Sequence, residues 1–328
     1  MSDSGFESLN ALKDNLDDLV ETGVGTIFIP DLLESGTINT DWGTLEDFGD
    51  LVTALQQRDQ KVVVGSLRPG DDARTWIESG VNGLVVDAGF TDDDLMKLRA
   101  VVDDMTENQG KSCIIISSDD LGENVHLTLS TNNNLAPSTA ADLKTGLDMY
   151  MGQLSDEAWP SLGWVDKSWA KSLTDASMIL KLLMPGTPVI EAGQELGGLN
   201  AWSKTTFDDQ KNEPGSHWNV FSTLAHKMRH QDSILFGEFN SKTTFVDGDV
   251  FGMTRVKKGN PGYLLLVNFG AEPAVVNVAN VTFIPDGIRL MTKSFSDAAD
   301  EEATRFESKE VSIGKEEARV FTFVPEYK

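Results

Sequence analysis

The stretch from Leu45 to Val86, LEDFGDLVTALQQRDQKVVVGSLRPGDDARTWIESGVNGLVV, decides the fold. Leu45, Phe48, Leu51, Val52 and Leu55 fall on one stripe of a helix, and Val62-Val63-Val64 follows as a short apolar run. Trp76-Ile77 and Gly80 then lead into a second such run, Leu84-Val85-Val86. Apolar runs without polar alternation read as strands covered on both faces, and a helix between two of them makes the pair parallel.

The same alternation extends in both directions. Upstream, Phe6, Leu9, Leu12, Leu16 and Leu19 predict one amphipathic helix to Thr22, stopped by Gly23, before a strand from Thr26 to Pro30. Downstream, a helix carrying Leu95, Leu98, Val101, Val102 and Met105 precedes a strand from Cys113 to Ile116. His126 to Leu129, a helix around Leu143, Leu147 and Tyr150, a strand at Leu162 to Val165 and a helix from Trp169 to Leu183 continue the series. Pro188-Val189-Ile190 is its last expected strand and Trp218 to His230 its closing helix. This is the pattern of an α/β fold, a TIM-type (β/α)8 barrel. The count reaches seven strands, because the chain begins directly in the helix that should follow the first. The expected ring lacks its first strand and is open, with edges at Thr26 to Pro30 and Pro188 to Glu191.

Beyond Ser233 the texture changes to short runs separated by Gly, Pro and Asn: Val250 to Val256, Tyr263 to Phe269, Ala274 to Val278, Ile288 to Met291 and Arg319 to Val324. These predict an all-β antiparallel sandwich. The expected domains are therefore 1–232, the barrel without an insertion domain, and 233–328, the C-terminal sandwich.

With 27 Lys and Arg against 52 Asp and Glu in 328 residues, the formal net charge is −25. A phosphate backbone or an anionic membrane surface would be repelled, so no nucleic-acid partner is expected. The longest apolar runs fall far short of the roughly 18 residues of a membrane span. The first residues, Met1 to Gly5, lack the basic and apolar regions of a signal peptide, so no direct membrane insertion by this segment is expected. The single cysteine, Cys113, excludes an internal disulfide framework and reads as a buried thiol at the head of a strand.

No cofactor or metal motif survives inspection. His226 and His230 have the spacing of a zinc helix, but Lys227 stands where a general base would. Trp218, Phe221, Ala225 and Met228 define that helix's apolar face, leaving both histidines on the solvated side. Gly23-Val24-Gly25 precedes a strand instead of following one and reads as a helix stop. Asn280-Val281-Thr282 is a glycosylation sequon.

Four segments carry a family resemblance. Leu183-Met184-Pro185-Gly186-Thr187-Pro188-Val189-Ile190-Glu191-Ala192-Gly193-Gln194-Glu195-Leu196-Gly197 resembles the last barrel strand of the α-amylase (glycoside hydrolase) superfamily. Asp41 to Phe48 is similar to the segment before the third strand, Gly80 to Asp87 to the fourth strand, and Tyr263 to Gly270 to a strand of the C-terminal sandwich. Retaining glycoside hydrolysis needs a carboxylate nucleophile and a carboxylic acid about 5 to 5.5 Å apart. The resemblance places Asp87 at the nucleophile position. It also puts Val85 where the orienting Arg belongs and Ser118 where the acid Glu belongs, and a hydroxyl is no acid near neutral pH. A register slip would instead put Asp119 or Asp120 in the acid's place. Arg68-Pro69-Gly70 stands in place of a sugar-binding Asn-His pair. Only Asp71 to Ser79 occupies the position of the usual insertion. In the seventh-strand segment Leu162 to Asp166, only Asp166 matches the family's pattern.

A dismantled catalytic set without the insertion domain resembles the heavy, ancillary subunits of heteromeric amino-acid transporters, the four-F-two antigen heavy-chain group. Leu235-Phe236-Gly237-Glu238-Phe239 and Phe251-Gly252-Met253-Thr254-Arg255 fit this narrower match. The resemblance implies a non-catalytic ectodomain at the plasma membrane, on its extracellular side. Its partner would be a multi-spanning amino-acid transporter light subunit, brought to the surface and stabilised there. The membrane helix and linking cysteine of that group are not found in this sequence, so a truncated or divergent ectodomain is expected. The alternatives are an active α-glucosidase-like glycoside hydrolase and a soluble carbohydrate-binding remnant.

Overall fold

The computed structural model describes residues 6–87, 89–118, 124–129, 137–153, 169–198, 202–295 and 305–327. The chain divides into two compact units, Met1–Thr131 with Asn200–Lys204, and Asn132–Leu199 with Thr205–Lys328. These do not coincide with the segments 1–232 and 233–328.

The first unit opens with two short helices, α1 (Leu9–Asp14) and α2 (Leu16–Glu21). They replace the single helix expected to Thr22. The break falls at Asn15, whose Nδ2 donates back to the Ala11 carbonyl at 2.8 Å while its backbone leaves the helical region. Their buried residues Leu9, Leu12, Leu16 and Leu19 are the predicted stripe. Strand β1 (Thr26–Ile29) follows Gly23, which takes φ 89°, and a small hairpin of β2 (Leu33–Glu34) and β3 (Thr37–Ile38) comes next.

Helix α3 (Leu45–Gln56) starts where its chemistry dictates. Thr44 Oγ1 accepts from the Asp47 N–H, and the Asp47 carboxylate accepts from the Thr44 N–H, a closed capping box. It buries Phe48, Leu51, Val52 and Leu55. Strand β4 (Lys61–Leu67), helix α4 (Ala73–Glu78), strand β5 (Gly83–Val86) and helix α5 (Asp92–Gln109) repeat the alternation. Strands β6 (Ile114–Ser117) and β7 (Leu127–Thr128) complete a parallel five-stranded sheet in the order β1-β4-β5-β6-β7. α3, α4 and α5 are the crossovers between its first four strands. Among the described residues β1 pairs only with β4, in the register Ile27↔Val62 and Phe28↔Val63. Cys113, at the entry to β6, is buried, and burial pushes its thiol up to about 12.

Strand β4 carries the unit's one local irregularity of consequence. Val64 faces Leu84 and Leu67 faces Val86, so β4 spends three steps where β5 takes two. The bulge sits at Gly65–Ser66. A Cβ on Gly65 would collide with the backbone carbonyl of Pro30, and Ser66 is held at φ 69°, a left-handed conformation unusual for a residue other than glycine.

The second unit contains helices α6 (Ala140–Gln153), α7 (Thr174–Leu183), α8 (Lys204–Lys211), α9 (His217–Thr223) and α10 (Asp232–Phe236). The helix expected from Trp218 to His230 changes character after Thr223, where Leu224–Met228 forms a π-helical turn. Strands β8 (Thr244–Asp247), β9 (Val250–Arg255), β10 (Gly262–Asn268), β11 (Ala274–Val276), β12 (Gly287–Lys293), β13 (Arg305–Glu307), β14 (Val311–Ile313) and β15 (Ala318–Phe323) follow. Six form an antiparallel sheet in the order β13-β12-β15-β10-β9-β8, and β11 pairs with β14. Val250, Leu264, Leu266 and Phe321 of the large sheet share a core with Val276, Val311 and Ile313 of the small one. α6, α7, α9 and α10 also pack on strands of the large sheet.

Two strand expectations need revision. Pro188 to Ile190 is not a strand. Pro188 has no N–H to donate, the Met184 and Gly186 carbonyls accept from Arg229, and the Glu191 N–H donates to Gln194 Oε1. Side chains thus satisfy backbone groups that a sheet ladder would otherwise use. The run from His126 to Leu129 shortens to Leu127–Thr128, its flanking N–H groups donating to the Ile115 and Ser117 carbonyls. Leu162 to Val165 lies outside the described residues.

Candidate functional site

The carboxyl ends of β4, β5 and β6 meet at one edge of the parallel sheet, the edge where α/β folds place their ligands. Asp87 follows β5 directly, its N–H donating to the Leu67 carbonyl at 2.9 Å. Its Oδ2 lies 3.7 Å from Arg68 Nε, with both side chains about half exposed. Arg68 is anchored in turn, its N–H donating to Asp71 Oδ2 at 2.8 Å. The β4 bulge makes this pair, because the extra residue brings Leu67 opposite Val86 and so sets Arg68 beside Asp87.

Val85 is half-buried in the register of Ile116 and offers no hydrogen bond to Asp87. The guanidinium next to Asp87 comes from the neighbouring strand, which the sequence reading missed. Its only advance signal was Gly65-Ser66 interrupting an apolar run.

Ser118 is exposed, one residue past the paired Val86↔Ser117, so Asp87 and Ser118 stand on adjacent strand ends. The site thus presents a carboxylate, a guanidinium and a hydroxyl. It can bind a polar or charged group. Asp119, Asp120 and Asp166, the other acidic candidates, lie outside the described residues.

In the second unit the segment from Leu183 to Gly197 gathers ionisable groups that no motif had marked. Glu195 is buried, its Oε2 accepts from the Gly193 N–H at 2.8 Å, and burial pushes its carboxyl up to about 7 against that hydrogen bond. Asp175 of α7 is also buried. It is 2.6 Å from His217 Nδ1 through Oδ1 and accepts from the Phe295 N–H at 2.6 Å through Oδ2. The His217 ring packs on Phe295 and lies against Gly197, at φ 75°, where any Cβ would strike the imidazole.

Among the described residues no cluster of His, Cys, Asp and Glu could hold a metal ion. His226 and His230 are exposed while Trp218, Phe221, Ala225 and Met228 are buried, as their spacing implied. Asn280 is exposed in a turn closed by Val281 N–H to Val278 O and Ile284 N–H to Val281 O. Among the described residues no helix is long and apolar enough to cross a membrane.

No protein-family model and no curated protein matches the chain. Solved structures do match. The trehalulose synthase MutB from Pseudomonas mesoacidophila MX-45 superposes with a TM-score of 0.68 at 14% identity, over 97% of this chain and 95% of that one. The isomaltulose synthase PalI from Klebsiella sp. LX3 does so with a TM-score of 0.66 at 13% identity, over 98% and 96%. At such identities the likeness establishes the fold. The chain has the α-amylase type of fold, a TIM-type barrel, seen among the described residues as five parallel strands, followed by an antiparallel β domain.

Proposed function

We propose that this chain is a non-catalytic ectodomain of an amino-acid transporter heavy subunit, standing on the extracellular side of the plasma membrane and stabilising a multi-spanning light subunit there. The observation that carries this reading is that Ser118, a hydroxyl, follows the strand end adjacent to Asp87, one residue past the Val86↔Ser117 pair. A glycosidase-type site needs its second carboxyl group there. The narrower resemblance of residues 235–239 and 251–255 to the heavy-subunit group supports the transporter assignment.

The deciding experiment has two arms. Purified chain is incubated with maltose, sucrose and aryl α-glucosides, and no turnover above buffer is expected from the native chain or from Asp87→Asn. In parallel the chain, joined to a membrane anchor, is co-expressed with candidate light subunits, and affinity capture from detergent-solubilised membranes is expected to recover a multi-spanning transporter whose surface level rises several-fold. Hydrolysis that vanishes in Asp87→Asn would overturn the non-catalytic reading. Capture of soluble proteins only would overturn the transporter reading.

One observation favours the α-glucosidase alternative: Asp87 keeps a guanidinium neighbour, Arg68, 3.7 Å away, which would orient a nucleophilic carboxylate. Turnover in the first arm would establish that reading, and loss of activity in Arg68→Ala would then identify Arg68 as a positioning residue.

A further inference from the structure

Two arginines of the second unit are held by backbone carbonyls and by no carboxylate among the described residues. Arg255 ends β9 and is only 1% exposed. Its Nη2 donates to the Ile234 carbonyl of α10, and its guanidinium lies 5.6 Å from the Phe239 ring. Its Nε and Nη1 are buried and, among the described residues, have no hydrogen-bond partner. Arg229 donates through Nη1 to the Leu182 and Met184 carbonyls at 3.4 and 3.2 Å and through Nη2 to the Gly186 carbonyl. Neither arginine makes an ion pair among the described residues; their partners are carbonyls and an aromatic ring.

The backbone around the pair is specialised as well. Arg229 follows directly on the π-helical turn Leu224–Met228, its N–H reaching back to the Leu224 carbonyl at 2.9 Å. Such one-residue expansions of a helix re-aim side chains and concentrate at functional positions. Burial lowers the proton affinity of both guanidiniums, and Arg229 lowers that of Arg255 further, to about 9. The two guanidiniums thus act on each other as like charges. A fully buried guanidinium with idle donors, such as that of Arg255, is costly to fold around. Buried donors left over in a protein interior are commonly matched by an ion or a water.

We propose that the second unit holds a buried site for a small inorganic anion, coordinated by Nε and Nη1 of Arg255 and neutralised jointly with Arg229. A monovalent halide such as chloride fits better than a phosphate dianion, because a site 1% exposed must strip its ligand of water and a doubly charged ion resists this far more strongly. The site is independent of the transporter reading and of the Asp87 edge.

The test is thermal unfolding of the full chain at constant ionic strength, with sodium gluconate replaced stepwise by sodium chloride. Gluconate is too large to enter, so screening stays fixed while the ligand varies. The melting temperature is expected to rise with the logarithm of chloride concentration above Kd, by about 4 °C at a hundredfold excess. Arg255→Met, similar in length and without donors, is expected to lose the rise. Should that variant fail to fold, the native protein still decides: crystals soaked in bromide are expected to show an anomalous peak within hydrogen-bond distance of Arg255 Nε or Nη1. A melting temperature indifferent to chloride, a rise that persists in Arg255→Met, or bromide crystals without that peak would each overturn the proposal.

Discussion

Glu195 carries a measurable consequence at the scale of one side chain. Its ordinary value of 4.5 is raised to about 7 in the fold by burial. Below about pH 4.5 the group is protonated in both folded and unfolded chains, so it costs nothing. Between 4.5 and 7 the unfolded chain releases its proton first, so stability falls as pH rises and levels off above 7. The total is on the order of 3 kcal/mol. Glu195→Gln keeps an acceptor for the Gly193 N–H and removes the titration. Denaturant midpoints measured from pH 4 to 8 should therefore slope downward in the native chain and lose that component in the variant. Persistence of the full slope in Glu195→Gln would assign it to other groups. Neither Glu195 nor the Arg68–Asp87 pair could be recognised from sequence as perturbed or paired. Which carboxylate is desolvated, and which guanidinium lies beside it, depends on tertiary packing that a linear spacing does not encode.

Elements were legible wherever a stripe and its punctuation agreed. α3 and α5 have both apolar periodicity and a Thr-x-x-Asp capping box, Thr44 with Asp47 and Thr91 with Asp94, and they form where the pattern puts them. β4, β5 and β6 are each built on a β-branched or aliphatic run, Val62–Val64, Leu84–Val86 and Ile114–Ile116, and pair in the expected parallel order. Legibility fails where one side chain overrules the periodicity. Asn15 divides the first helix, Arg229 takes the carbonyls around Pro188, and the Gly65–Ser66 bulge shifts β4 against β5. The bulge yields the sharpest test. Gly65→Ala drives a methyl into the Pro30 carbonyl, which is backbone and has little room to retreat, so a loss of about 1 to 3 kcal/mol is expected. Hydrogen exchange should localise the loss to Ile27–Ile29, the residues paired with Val62–Val64. An alanine variant as stable as the native chain would mean that β1 is free to move away from β4.

For the molecule as a whole, a net charge of −25 is a repulsion that salt relieves. Raising sodium gluconate from about 10 mM to about 150 mM shortens the Debye length from about 30 Å to about 8 Å. The melting temperature should rise by a few degrees, equally in Arg255→Met and in the native chain, and a fall would place attractive surface pairs above the net repulsion. The lone thiol offers a different use. Cys113 is buried, and with its thiol pushed up to about 12 it contains almost no thiolate at neutral pH. A maleimide or disulfide reagent should therefore wait for β6 to come away from its neighbours before it can react. The labelling rate becomes a clock for the opening of the parallel sheet, and a cysteine introduced on the surface can be derivatised first without removing the native one.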